Sequence, residues 1–275
     1  SKQKNFNKEI NIEINQLVNP ISSFNKKYIE QKIKKLVHDS KSDYIIFAEN
    51  NYPYLINKNN LSNFNSFIKD NKKVIIGATS LKDGDYYNSF YLLEKNNINS
   101  FEKKILVPFG EFLPFRKYLN FMETISGSID YQKGNSERII TATDNLKILP
   151  IICYEIVFDK IFENINRKEI DILVNITNDS WFGTRFGPYQ HFYISRIKAL
   201  VANKSLLRVS NNGISAIIES NGKIIKSSKL NEITQLNYKL KIKNNKSFIT
   251  MHKIFMFYLF SIFIILIIYS KRNEI

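Results

Sequence analysis

The chain has 275 residues, of which 44% are hydrophobic and one is cysteine; that suits one large domain, or a domain with an appendage. A single cysteine excludes an internal disulfide and a thiolate-based metal cluster, and His38, His191 and His252, with no close spacing to it, point away from zinc. The formal net charge of +15 comes from lysines spread along the chain, a pattern that fits a solvated lysine-rich surface as well as an anionic membrane or nucleic acid, and no nucleic-acid motif accompanies it.

"EINIEINQL" alternates isoleucine with polar residues and reads as a strand. Residues 22–38 carry apolar groups at helical spacing with a basic outer face, and His38 sits at the end of that helix, where a cation complements the dipole. "SDYIIFAEN" is a short apolar run ending in the carboxylate of Glu49, and "LSNFNSFIKD" reads as a helix capped by Ser62. "KKVIIGAT" and "YYNSFYLL" read as strands around the turn "LKDGD". "KKILVPFGEFLPF" reads as a strand running into a loop punctuated by proline and glycine.

"LKILPIICYE" reads as a buried strand that delivers the only cysteine, Cys153, to the start of a helix over "FDKIFENINRK". A helix N-terminus there would favour the thiolate. A lone cysteine is more often core filler than nucleophile, so its neighbours must decide. "DILVNITND" repeats the strand pattern, "WFGTRFGP" is a loop, and "YQHFYISRIKALVANKS" is a helix that carries His191 as a packing or hydrogen-bonding residue. "LLRVSNNGISAIIESNGKII" closes as paired strands, and residues 240–250 read as a polar linker. Residues 254–270 hold no charge and are bounded by Lys253 and by Lys271 and Arg272. About 17 apolar residues is the short end of a membrane-spanning helix, and flanking lysines can snorkel. The chain opens on Ser1 with no signal peptide and reads as a piece of a longer protein.

Strands interleaved with helices indicate α/β, with sites at the carboxyl ends of strands. Three such ends stand out: Glu49, the Lys103–Lys104 pair, and Cys153. A cysteine nucleophile needs a proton acceptor and a charge to hold the oxyanion, and a carboxylate with a lysine can supply both.

The segments "FAEN", "KKILVPFGEFLP", "IICYEIVF", "LVNITNDSWFG", "GPYQHF" and "LLRVSNNGISA", in this order over residues 11–226, resemble the nitrilase (carbon–nitrogen hydrolase) superfamily and, within it, the apolipoprotein N-acyltransferase family. The resemblance implies a nitrilase-like α-β-β-α sandwich over residues 1–245, then a linker, one C-terminal transmembrane helix and a short tail over 246–275. It implies a catalytic triad of Glu49, Lys103 and Cys153. The family's spacing to "VPFGE" selects Lys103 over Lys104, since strand neighbours point to opposite faces. Glu111 and Glu155 are expected near the reaction centre; for each, a loop-ordering or helix-dipole role is the alternative. Tyr154 could offer its backbone N–H to the oxyanion. Trp181, the only tryptophan, lines an acyl-chain pocket or packs its loop on the core.

The implied activity moves an acyl chain from a membrane phospholipid to the N-terminal amino group of a diacylglyceryl-cysteine apolipoprotein, through a thioester on Cys153. It needs no metal or organic cofactor and no nucleic acid, and it takes place at the bacterial inner membrane with the catalytic domain on the periplasmic face. The alternative is an amidase that uses the same residues with water as acceptor. Two positions depart from the family: Phe47-Ala48 replaces the usual Trp-Pro before Glu49, and Val201 stands where a glutamate is common.

Overall fold

In segments such as "YIIF" and "ILPII", apolar residues occupy successive positions rather than alternate ones, so both faces must be covered. The computed structural model describes residues 8–19, 25–61, 64, 67–68, 72–119, 129–242 and 258–263. They form two six-stranded sheets. The first comprises β1 (Lys8–Gln16), β2 (Tyr44–Phe47), β3 (Lys73–Lys82), β4 (Asp85–Glu94), β5 (Asn97–Glu102) and β12 (Thr234–Ile242), in the order β12-β1-β2-β3-β4-β5. The second comprises β6 (Ile140–Thr141), β7 (Lys147–Ile152), β8 (Ile172–Thr177), β9 (Ser205–Ser210), β10 (Ala216–Ile218) and β11 (Ile224–Ser227), in the order β11-β10-β9-β8-β7-β6. Each sheet has three parallel strands at its centre, β1-β2-β3 and β7-β8-β9, and antiparallel strands outside them.

Alternation along each strand sorts its residues between layers. Tyr44 and Ile46 of β2 face Ile148 and Ile152 of β7 in a core between the sheets, which also takes in Ala48. Ile45 and Phe47 point the other way, onto Ile29, Ile33 and Val37 of helix α1 (Lys26–Asp39). Leu149 and Ile151 pack under Phe192, Ala199 and Ala202 of helix α2 (Gly187–Ala202). The layers therefore run α-β-β-α, as the resemblance implied.

Three sequence expectations need correction. No helix follows Cys153. Residues 153–169 form short 3₁₀ turns, Cys153–Val157, Asp159–Phe162 and Arg167–Glu169, interrupted by extended Phe158 and by left-handed Asn164 at φ 57°. Asparagine competes with helix through its own side chain, and Asn166 does so by accepting from Lys168 N at 3.1 Å. No strand covers residues 103–107: β5 is the more polar "NINSFE" just before them, and the N–H groups of Lys104 and Ile105 go to Glu155 Oε1 at 3.0 and 3.1 Å instead of to a sheet. The polar linker cannot begin at residue 240, because β12 runs to Ile242, where it pairs with Lys8.

The expected membrane span falls mostly on residues the structure does not describe. Among the described residues no helix is long and apolar enough to cross a membrane; residues 258–263 are helical, and the rest of the expected span over 254–270 lies outside the described residues. Most of the helix expected over 61–70 also lies outside them, with residues 61, 64 and 67 in 3₁₀ conformation. Of the two departures, Ala48 is fully buried in the core, while Val201 lends its carbonyl to Arg167 Nη1 at 3.3 Å.

Candidate active site

At the end of β2 the chain turns sharply at Glu49 and Asn50, the latter left-handed at φ 51°. Asn51 closes the turn by accepting from Ala48 N at 3.0 Å. A Cβ on Gly77 of β3 would lie 2.6 Å from Glu49 Cα, so only glycine lets the β2 tip settle against its neighbour. The Glu49 carboxylate is buried, and it accepts from Asn88 Nδ2 at 2.7 Å and from Asn178 N at 2.8 Å.

Lys103 is the first residue after β5, held in place by donation from its N–H to the Asn88 carbonyl at 2.9 Å. Its side chain is 1% exposed, with Nζ 2.8 Å from Glu111 Oε2 and 4.0 Å from Glu49 Oε1. Glu111 is fixed in turn by Val107 N at 3.0 Å and Asn88 Nδ2 at 2.8 Å. Lys104 turns to a separate groove behind this loop. Of the pair, Lys103 lines the cavity and Lys104 does not, although the strand invoked to separate them is absent.

Cys153 comes from the opposite sheet, one residue beyond β7, at φ 51°. A residue with a Cβ rarely adopts that conformation, and such strain collects at functional sites. The carbonyl of Cys153 is pinned by Asn175 Nδ2 and His191 Nε2, each at 3.3 Å. The Cys153 thiol and the Glu49 carboxylate line the same cavity and lie close enough for the charge of Glu49 to act on the thiol. Glu49, Lys103, Glu111, Cys153, Tyr154 and Trp181 line a single cavity of about 840 Å³. Trp181 is 66% exposed, so it forms part of the cavity's rim and does not pack its loop on the core.

Glu155 is brought to the loop behind the site, not into the cavity. Its carboxylate is fully buried and receives Lys104 N, Ile105 N, Ile152 N at 3.0 Å and Arg138 Nη2 at 2.8 Å. It ties the Lys103 loop to the Cys153 turn. Helix-dipole placement does not describe it, since a five-residue 3₁₀ turn begins there.

The electrostatics follow from burial first. Burial pushes the Cys153 thiol up to about 12; the Glu49 charge adds to the effect and Lys103 opposes it. The expectation that a helix N-terminus favours the thiolate is thus overturned. Burial also lifts the Glu49 carboxyl above the ordinary carboxylate range, with Lys103 opposing and Glu111 reinforcing. Burial works against the Lys103 ammonium, but the charges of Cys153, Glu111 and Glu49 outweigh it and hold its pKa above the ordinary lysine value. At neutral pH the site therefore contains a fixed cation and a protonated thiol beside Glu49, whose basicity is raised, which suits proton removal followed by attack on a carbonyl. Among the described residues no group of three or more His, Cys, Asp or Glu could hold a metal ion.

Sequence reasoning missed Asn88, which bridges both glutamates. A usable signal was present: Asn88 is an amide inside a strand of aromatic and aliphatic residues, where β propensity disfavours it. It also missed Asp179 and Arg208 beneath Cys153; they join His191, read from the sequence as a packing or hydrogen-bonding residue, in a buried set in which Arg208 Nη2 donates to Asp179 Oδ2 at 2.8 Å. Burial would weaken the Asp179 acid, but Arg208 and His191 outweigh it and hold its pKa well below the ordinary carboxylate range.

Comparison with known proteins gives this geometry a context. The family model described as carbon-nitrogen hydrolase matches residues 19–241. The apolipoprotein N-acyltransferase of Rickettsia typhi (strain ATCC VR-144 / Wilmington) is 43% identical over 187 residues, covering 66% of this chain and 36% of its own. That of Wigglesworthia glossinidia brevipalpis is 41% identical over 212 residues, covering 72% and 42% respectively. The chain thus spans well under half the length of these curated relatives. Among solved structures, Saccharomyces cerevisiae Nit3, a member of branch 10 of the nitrilase superfamily, superposes with TM-score 0.64 at 16% identity over 85% of this chain and 90% of its own. The glutamine-dependent NAD+ synthetase of Acinetobacter baumannii gives TM-score 0.66 at 15% identity, covering 87% and 48%. Both are similar in fold.

Proposed function

The chain belongs to the carbon–nitrogen hydrolase family, and from that premise we propose that it transfers an acyl chain from a membrane phospholipid to the α-amino group of a lipid-modified N-terminal cysteine on an apolipoprotein. The observation that carries the reading is the meeting of Glu49, Lys103 and Cys153, from three separate strand ends, in one cavity, within a chain 43% identical to a curated apolipoprotein N-acyltransferase over 187 residues.

The geometry supports the following steps. Glu49 takes the thiol proton, and Cys153 Sγ forms a bond to the ester carbonyl carbon. The negative charge that develops on the carbonyl oxygen is offset by the Lys103 ammonium, with the Tyr154 N–H as a second donor. Collapse breaks the C–O bond; the lysophospholipid oxygen takes the proton from Glu49 and leaves, and the acyl group remains on sulfur as a thioester. The neutral amine of the acceptor then attacks the thioester carbonyl and gives a proton to Glu49. The C–S bond breaks, and the sulfur recovers that proton. Glu111 holds Lys103 in place through both half-reactions, and Trp181 stands at the rim where an acyl chain enters.

Under this reading the catalytic domain occupies residues 1–245, and residues 246–275 supply a linker and a membrane helix, with Lys271 and Arg272 on the cytoplasmic side and the site on the periplasmic face of the inner membrane. The test supplies phospholipid with an isotopically labelled acyl chain and a peptide bearing a diacylglyceryl N-terminal cysteine, followed by mass spectrometry. Label on the peptide amine is the expected result. Label released only as free fatty acid would mean that water is the acceptor, and the amidase reading would replace this one.

A further inference from the structure

Asn88 sits on β4, paired with Thr79 of β3 on one side and bonded through its carbonyl to Lys103 N on the other. It thus lies between the strands that deliver Glu49 and Lys103. Its Nδ2 donates to Glu49 Oε1 at 2.7 Å and to Glu111 Oε1 at 2.8 Å. Two carboxylate oxygens within that reach fix the orientation of the amide, because the reverse placement would set Oδ1 against both. Oδ1 is buried and has no partner. Leaving a buried carbonyl unpaired destabilises a fold, so this asparagine is not there for the packing alone. What asparagine adds is two N–H dipoles delivered at once to two carboxylates that share a single ammonium.

We propose that Asn88 is a positioning residue: by tying Glu49 to Glu111 through one amide, it holds the Glu49 carboxylate towards the Cys153 thiol, and so sets how readily Glu49 takes the thiol proton. This rests on the proton transfer of the reading above, but not on which acyl donor or acceptor is used. The charged and titratable groups that face Glu49 from the surrounding elements are Lys103, Glu111, Cys153 and Tyr131. Asn88 is among the groups that oppose the upward push of burial on Glu49. Its removal therefore lets Glu49 hold a proton to higher pH.

Cys153 is the only cysteine, so alkylation of the full chain by iodoacetamide reports on that thiol alone, whatever the natural substrate. The alkylation rate of the parent should rise with pH along an acid limb that disappears in Glu49→Gln. In Asn88→Ala the limb should move to higher pH, and in the isosteric Asn88→Asp further still, since a third carboxyl then joins the cluster. Acylation of Cys153 by a p-nitrophenyl fatty ester should fall on the order of tenfold or more in both. A purely structural role would lower the folded fraction, followed by thermal melting, and leave the limb where it was. An unchanged limb in both variants, or a limb that survives Glu49→Gln, overturns the proposal. A failed acyl-transfer reading looks different: the shifts in the alkylation limb persist, but the parent forms no acylated peptide.

Discussion

Two buried charged clusters lie on either side of Cys153, and they are built on opposite principles. Beneath the Cys153 turn, Asp179 and Arg208 balance one another. Asp179 Oδ1 accepts from Thr177 at 3.0 Å, Oδ2 accepts from Arg208 Nη2, and Arg208 Nη1 donates to Asn175 Oδ1 at 2.6 Å and Ser195 at 3.0 Å. The cluster is closed: a Cβ on Gly213 would collide with Asp179 Oδ2. Above the turn, Glu49 and Glu111 share one lysine, one amide carbonyl goes unpaired, and the group opens on a cavity. Both clusters perturb their ionisable groups strongly, so perturbation alone does not mark the reactive one. Incomplete compensation next to accessible space does.

The comparison breaks first if the closed cluster proves dispensable. Arg208→Met should destabilise the fold by about 3–5 kcal/mol, because it strands the buried Asp179 carboxylate, and the activity that remains should track the folded fraction in denaturant titration. A variant that folds normally but is inactive would move Arg208 into the chemistry. Lys103→Ala should slow Cys153 acylation on the order of hundredfold or more, about 2.7 kcal/mol; near-normal acylation would remove Lys103 from the oxyanion role.

Next in size is a difference in pH response. Asp179 and His191 titrate below their ordinary 3.8 and 6.5, burial being the main cause for His191, with Arg208 adding to it. The unfolded chain therefore binds more protons as pH falls. Their contribution to stability is complete above about 6.5 and is lost on acidification, first through His191 and then, below 3.8, through Asp179. Glu49 has the opposite sign: its folded pKa lies above 4.5, so its contribution is present below 4.5 and is lost as pH rises through the folded value. Glu49→Gln should therefore melt higher than the parent at neutral pH, with the gain fading below 4.5, while acylation slows. A gain that does not depend on pH, or a loss at neutral pH, would contradict this. The smallest effect belongs to Lys104→Ala, which should leave both acylation and melting nearly unchanged, because that side chain faces the other groove.

The same contrast explains what could be read from the sequence. Runs such as "YIIF" and "ILPII" are apolar on both faces, so strands at the centre of each sheet were legible, and with them the layering. So were Glu49 and Cys153, which stand where apolar runs stop, whereas Lys103 follows the polar β5 and was picked out by the resemblance's spacing to "VPFGE". Strands β5 and β12 were hidden because their exposed residues are asparagines and lysines that look like loop. The closed cluster was hidden by distance: Asp179 and Arg208 meet across 29 positions of chain, and no local pattern pairs them. The 3₁₀ turns after Cys153 were misread because the apolar spacing there imitates a helix, while left-handed Asn164 and extended Phe158 break it.

The central claim is that the open cluster makes the chain's only cysteine a nucleophile. The most direct measurement is the intact mass of the full chain after a short exposure to phospholipid. One acyl group should appear per chain, map to Cys153, and be released by neutral hydroxylamine as a thioester is; in Cys153→Ala it should be absent while the fold persists. An acyl adduct of equal yield in Cys153→Ala, or none in the parent, would contradict the account.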